Sequence, residues 1–233
     1  MQTVFTGKEK VGDIVVNFPK ASNLFKEYRI DFCCGGNRTL SEVLKQKGLD
    51  DGEVLNRLNR MYQDMVNLKE SNLDFPSMGS LDLIEHIVNT HHVYLQKELP
   101  LLSEYVTKIL RVHGASHGEL AQLHRLFHTL KMELESHLIK EEEIIFPLIA
   151  EFEQTRSEEA RNKAIKVIDE LEKEHTGVGD ILREMREITN QYTLPEGACR
   201  TYTLTFQKLE ELESDLFQHI HLENNILFRR LAS

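Results

Sequence analysis

Two short stretches pair an imidazole with a carboxylate at the same spacing: His137-Leu-Ile-Lys-Glu141 and His219-Ile-His-Leu-Glu223. At about 100° per residue, a four-residue step along a helix sets both side chains on one face, one turn apart, which makes half of a metal site. The apolar flanks repeat as well, Ile145-Phe146 against Leu227-Phe228, so the two stretches read as equivalent helices of one bundle. His92 and His175 add two more imidazoles. Four imidazoles and two carboxylates are too many for one tetrahedral zinc and include no thiolate. They suit two metals, each with two histidines, bridged by Glu141 and Glu223. Positions would remain for an oxo or hydroxo bridge, water or a small ligand. A nitrogen and oxygen donor set of this kind favours iron or manganese.

Helices must bring these residues to one level. In antiparallel helices joined by a short loop, residues equidistant from the loop lie at the same depth. The midpoint of His92 and His137 falls between Gly114 and Ala115, in the turn-like His113-Gly-Ala-Ser-His117. That of Glu141 and His175 falls at Glu158, beside Glu153-Gln-Thr-Arg-Ser157, and that of His175 and His219 at Gly197, in Leu194-Pro-Glu-Gly197. All six residues are therefore expected in one layer of an up-down-up-down four-helix bundle. His91 flanks the same apolar stripe as His92, and periodicity does not choose between them.

The chain is all-α by its scarce proline and helical apolar spacing. Its helices are expected at about 81–112, 117–152, 157–190 and 195–231, with Pro100 kinking the first and Pro147 bending the second. Residues 1–70 form a small helical domain carrying the loop Asp31-Phe-Cys-Cys-Gly-Gly36, residues 71–80 are a linker, and residues 81–233 are the bundle. With 28 basic against 38 acidic residues and a formal charge of −10, nucleic acid and anionic membrane surfaces are poor partners. No apolar run approaches the roughly 20 residues that span a bilayer. Three cysteines make no disulfide framework, so a reducing, cytoplasmic setting is expected. An N-terminal domain too small for a large core of its own would dock on the bundle or on a second chain, as in a homodimer.

The Cys-Cys-Gly-Gly loop, Leu99-Pro100, Ser136-His-Leu-Ile-Lys-Glu-Glu-Glu-Ile-Ile-Phe-Pro147 and Asp215-Leu-Phe-Gln-His-Ile-His-Leu-Glu-Asn-Asn-Ile-Leu-Phe228 together resemble the RIC (repair of iron centres) proteins of the YtfE and ScdA type, over nearly the whole chain. The resemblance implies a hemerythrin-like domain holding a non-haem di-iron centre. It places the iron ligands on His92, His137, His175 and His219, with Glu141 and Glu223 bridging, and so selects His92 over His91. It also implies repair of iron-sulfur clusters damaged by nitrosative or oxidative stress, with damaged cluster proteins as partners and nitric oxide or dioxygen as small ligands. Two other activities fit the same site: a nitric oxide or dioxygen reductase, and a reversible gas binder or sensor.

Other residues carry weaker signals. Glu133 and Glu174 are candidates for outer contacts to the ligands, and His86 for a more distant one. Cys33 and Cys34 are either small packing residues or redox thiols, whose pKa Arg29 and Arg38 would lower if close. Cys199 is expected to pack. His221 should face away from His219, and the pair His124 and His128 should be solvated.

Overall fold

A computed structural model describes residues 4–68 and 74–232. They are helical in every regular element and divide into two compact units, Ser80–Leu216 and the N-terminal stretch up to Gly79 together with the residues from Phe217 onward. Part of the expected linker, residues 71–73, lies outside the described residues. Among the described residues, no helix is long and apolar enough to cross a membrane.

The N-terminal part of the second unit holds α1 (Val11–Asn17), α2 (Ala21–Glu27), α3 (Leu40–Lys47) and α4 (Asp51–Leu68). The Thr39 side chain accepts from Glu42 N while Glu42 reaches back to Thr39 N, a reciprocal cap that starts α3, and Gly48 ends it at φ +65°, where a side chain would be strained. Apolar faces of these helices meet around Phe18, Phe25, Leu44 and Leu58, all fully buried. Phe5, Phe18 and Tyr62 pack with ring centroids 5.4–6.3 Å apart.

In the unit Ser80–Leu216 the chain runs through α5 (Ser80–Ile87) and α6 (Val93–His113), then α7 (Glu119–Lys140) and α8 (Phe146–Thr155), then α9 (Glu158–Ile188) and α10 (Arg200–Leu222). Apolar stripes such as Leu95, Leu99, Leu102, Val106 and Ile109 on α6 and Leu120, Leu123, Phe127, Leu130 and Leu134 on α7 form its core. Side-chain pairs report the directions. His91 meets Asp215 and Glu98 meets Lys208, so α6 and α10 run antiparallel; Gln122 meets Glu184 and His137 meets Glu174, so α7 and α9 do too. Ser157 caps α9 by accepting from Ala160 N, and α6 continues through Pro100.

One expected boundary moves. The helix expected from Pro195 or Glu196 begins only at Arg200, because Asn190, Gln191 and Tyr192 turn through positive φ after α9 and Gly197 follows at φ +77°. The second and fourth long helices, and the first, are also interrupted by π-helical turns that hydrophobic spacing does not announce.

Candidate metal centre

Each π turn adjoins a candidate ligand. Val88–His92 ends at His92, Glu141–Ile145 begins at Glu141 and Glu223–Leu227 begins at Glu223. In each, the amide just past the turn bonds five residues back: Val93 to Val88, Phe146 to Glu141, Phe228 to Glu223. The extra residue per turn widens the helix locally and re-aims its side chains, and such turns concentrate at functional sites. The two His-x-x-x-Glu stretches are thus equivalent in backbone as well as in sequence. α9, which carries His175, has no such turn.

Within the unit Ser80–Leu216, His92, His137, Glu141 and His175 gather in a space closed to water, Glu141 and His92 at 0% exposure. His137 Nε2 lies 3.0 Å from Glu141 Oε1 and 2.9 Å from His175 Nε2; His92 Nε2 lies 3.3 Å from Glu141 Oε2. On the far side of each ring, His137 Nδ1 is 2.7 Å from Glu174 Oε2 and His92 Nδ1 is 2.8 Å from Glu142 Oε1. A carboxylate only accepts, so in both rings Nδ1 carries the proton. The neutral form then leaves an Nε2 lone pair pointed at a buried carboxylate oxygen, and at His137 also at a second imidazole nitrogen. Lone pairs converging in a dry space are stable when positive charge sits among them. The residues present therefore fit a metal, and imidazole with carboxylate suits iron.

Glu174 also takes the Lys140 ammonium, and although burial pushes its pKa up, the hydrogen bonds from Lys140 and His137 win and hold it below the usual carboxylate range. Glu142 plays the matching part at His92, and only its i+1 position after Glu141 could have drawn notice in the sequence. Glu133 is exposed and makes no hydrogen bond or ion pair among the described residues, so its expected outer contact is not seen. His91 turns instead to Asp215, 2.9 Å away, and His86 sits beside the His91 ring rather than the cluster. Cys199, expected to pack, is exposed and lies 3.2 Å from His113 Nε2.

In the other unit, His219 Nε2 lies 3.1 Å from Glu223 Oε1, both buried. His221 does face another way, but into protein rather than water: its ring packs on Phe32 and Nδ1 sits 3.3 Å from the Phe32 carbonyl. Burial pushes its pKa down to about 4 despite that carbonyl, so the ring is neutral. Asn225 donates to the carbonyls of Phe32 and Cys33 and accepts from Arg229, which reaches Asp13. The Cys-Cys-Gly-Gly loop is thereby fastened to the turn that follows Glu223. A Cβ on Gly12 would stand 2.6 Å from Asn225 Oδ1 and one on Gly36 2.6 Å from the Phe32 carbonyl, so this junction admits only glycine at both places.

The thiols there differ from expectation. Asp31 Oδ1 accepts from the amides of Cys33 and Cys34 and lies 3.2 Å from Cys33 Sγ. The Cys34 thiol beside it, burial and the Asp31 charge all raise the Cys33 pKa well above the ordinary thiol range, the reverse of the lowering that Arg29 and Arg38 would give. Arg38 instead donates to Gln46.

Residues 83–231 match the hemerythrin HHE cation binding domain, and residues 7–62 match ScdA_N, a domain of unknown function. The first of these spans every candidate ligand. The iron-sulfur cluster repair protein ScdA of Staphylococcus haemolyticus is 34% identical over 230 residues, covering 98% of this chain and all of that protein. The chain belongs to the ScdA/YtfE family. Another member, ScdA of Staphylococcus epidermidis, is 32% identical over the same share. The iron-sulfur cluster repair protein YtfE of Escherichia coli is 33% identical over 222 residues, 95% of this chain and 96% of its own length. Family membership, the hemerythrin-type bundle and a buried His/Glu cluster able to bind metal thus agree.

Proposed function

We propose that this chain is a cytoplasmic di-iron protein that repairs iron-sulfur clusters damaged by nitrosative or oxidative stress, supplying iron to damaged cluster proteins. The reading assigns one ion to His92, Glu141, His219 and Glu223 and the other to His137, Glu141, His175 and Glu223, so that both carboxylates are shared. Support for joining the two His-x-x-x-Glu stretches comes from their common loop-to-ligand register, their identical π turns and the cation-binding domain match that contains both. The repair role rests on relatives named for it across nearly the full chain.

The observation that carries the reading is the set of Nε2 lone pairs aimed at buried Glu141. Glu142 and Glu174 hold His92 and His137 in the tautomer that donates to a metal, and the apolar walls exclude water. Bound iron would supply a redox-active, transferable ion. Fewer carboxylates and more imidazoles than in a carboxylate-rich site favour the ferrous state, the form that leaves a site most readily.

Iron content of anaerobically purified protein tests this, followed by mixing with a nitric-oxide-damaged cluster protein. About two irons per chain, passing to the client as its cluster reforms, is the expected result. Glu141→Ala and Glu223→Ala should each lose iron, while Glu133→Ala, an exposed control, should not; equal iron in all three refutes the shared centre. Iron retained while nitric oxide is consumed would assign the protein to the reductases instead.

A further inference from the structure

Away from the buried cluster, α7 carries another imidazole pair. His124 and His128 stand one helical turn apart with ring centroids 4.3 Å from each other and planes inclined by 50°. His124 Nε2 lies 3.1 Å from Thr107 Oγ1 on α6, and the edge of Phe127 meets the His128 ring at 5.8 Å. These neighbours limit how far either ring can turn. His128 Nε2 is shielded from water and has no hydrogen-bond partner. Both residues are half-buried, in contrast to the solvated pair that sequence spacing implies.

We propose that His124 and His128 form a separate site for one divalent transition-metal ion, with imidazole nitrogens from successive turns of α7 as its protein ligands. Two rings on one helical face, already in contact, lose little freedom on chelation. Burial, and then the neighbouring His128, lower the pKa of His124, so the ring is neutral and able to donate at pH 7. The donor set selects the ion. No third His, Cys, Asp or Glu joins the pair among the described residues, so calcium and magnesium, which need several oxygen ligands, are excluded, while nickel and copper lead the affinity order for imidazole. With two protein ligands the site holds its ion more weakly than the larger donor set of the cluster would, and it is independent of the function proposed above.

The test is nickel titration of the full-length, iron-loaded protein. Wild type should take up one nickel more than His124→Gln or His128→Gln, with iron content and thermal midpoint unchanged in both. His117→Gln, which removes an imidazole outside the pair, should keep that nickel. Equal uptake by wild type and both variants overturns the proposal, as does loss of the extra ion in His117→Gln. Independently of any substitution, substoichiometric nickel should broaden the ring-proton signals of His124 and His128 first; earlier broadening of any other histidine overturns the assignment.

Discussion

Removing the carboxylate behind a ligand ring gives the sharpest test of the lone-pair argument. Glu142 and Glu174 fix Nδ1 of His92 and His137 as the proton-bearing nitrogen, at 2.8 and 2.7 Å. Glu142→Ala frees the His92 ring to adopt the other tautomer, in which Nε2 carries the proton and no longer donates to metal. Carboxylates in this position are worth about 10–100-fold in metal affinity. With side chains 37% and 38% exposed, both belong at the low end, about tenfold, or about 1.4 kcal/mol. Glu142→Gln should lose less than Glu142→Ala, since the amide oxygen still accepts from Nδ1. Glu174→Ala should lose more than Glu142→Ala, because it also leaves the half-buried Lys140 ammonium beside the cluster with only the more distant Glu170, 3.9 Å away, so that its charge repels a cation. Competition against a ferrous chelator under anaerobic conditions measures all three, with the exposed Glu143→Ala as control. If Glu142→Ala and Glu174→Ala bind iron as tightly as wild type, the rings are not held as argued and the tautomer reasoning fails.

Other perturbations address the loop junction. Asn225→Ala removes hydrogen bonds donated to two carbonyls and one accepted from Arg229, and should lower unfolding stability by about 2–4 kcal/mol at about 1 kcal/mol each plus the desolvated carbonyls left behind; urea denaturation reads this, and a loss below about 1 kcal/mol would mean the loop is held by other contacts. Gly12→Ala forces a methyl against Asn225 Oδ1 and the Gly36 carbonyl, and should destabilise by about 1–3 kcal/mol in the same assay. Alkylation of Cys33, followed by peptide mass analysis, should be slow at neutral pH and keep accelerating above pH 9, because a raised pKa keeps the thiol protonated until then; a rate that levels off near pH 7 would contradict the Asp31 contact.

Composition and helical spacing carry the all-α class, and the loop midpoints put His137, Glu141 and His175 at one level, whereas the choice of His92 over His91 comes from the family resemblance and not from spacing. Caps such as Thr39 and Ser157 start their helices through local chemistry, a side chain accepting from an amide three residues on. The π turns were invisible, since one extra residue in a turn changes no residue type and disturbs hydrophobic spacing only slightly. Glu142 escaped notice because its partner, His92, is fifty positions away. His221 and Asn225 escaped it because their partner is a backbone carbonyl of a distant loop, which leaves no trace in side-chain pattern. In sequence Asp31 is only part of a loop; in the fold it adds to the Cys34 thiol and burial in raising the Cys33 pKa.

The helix α10 runs without a break from Arg200 to Leu222, yet its residues up to Leu216 belong with one compact unit and those from Phe217 with the other. Phe217 and His221 pack on Phe32, a residue near the beginning of the chain. The N-terminal region is therefore no detachable module: a gene fragment starting at residue 80 would encode the final helix without the surface its last turns rest on. Insertion, fusion or exchange of that region must respect residues at both ends of the reading frame.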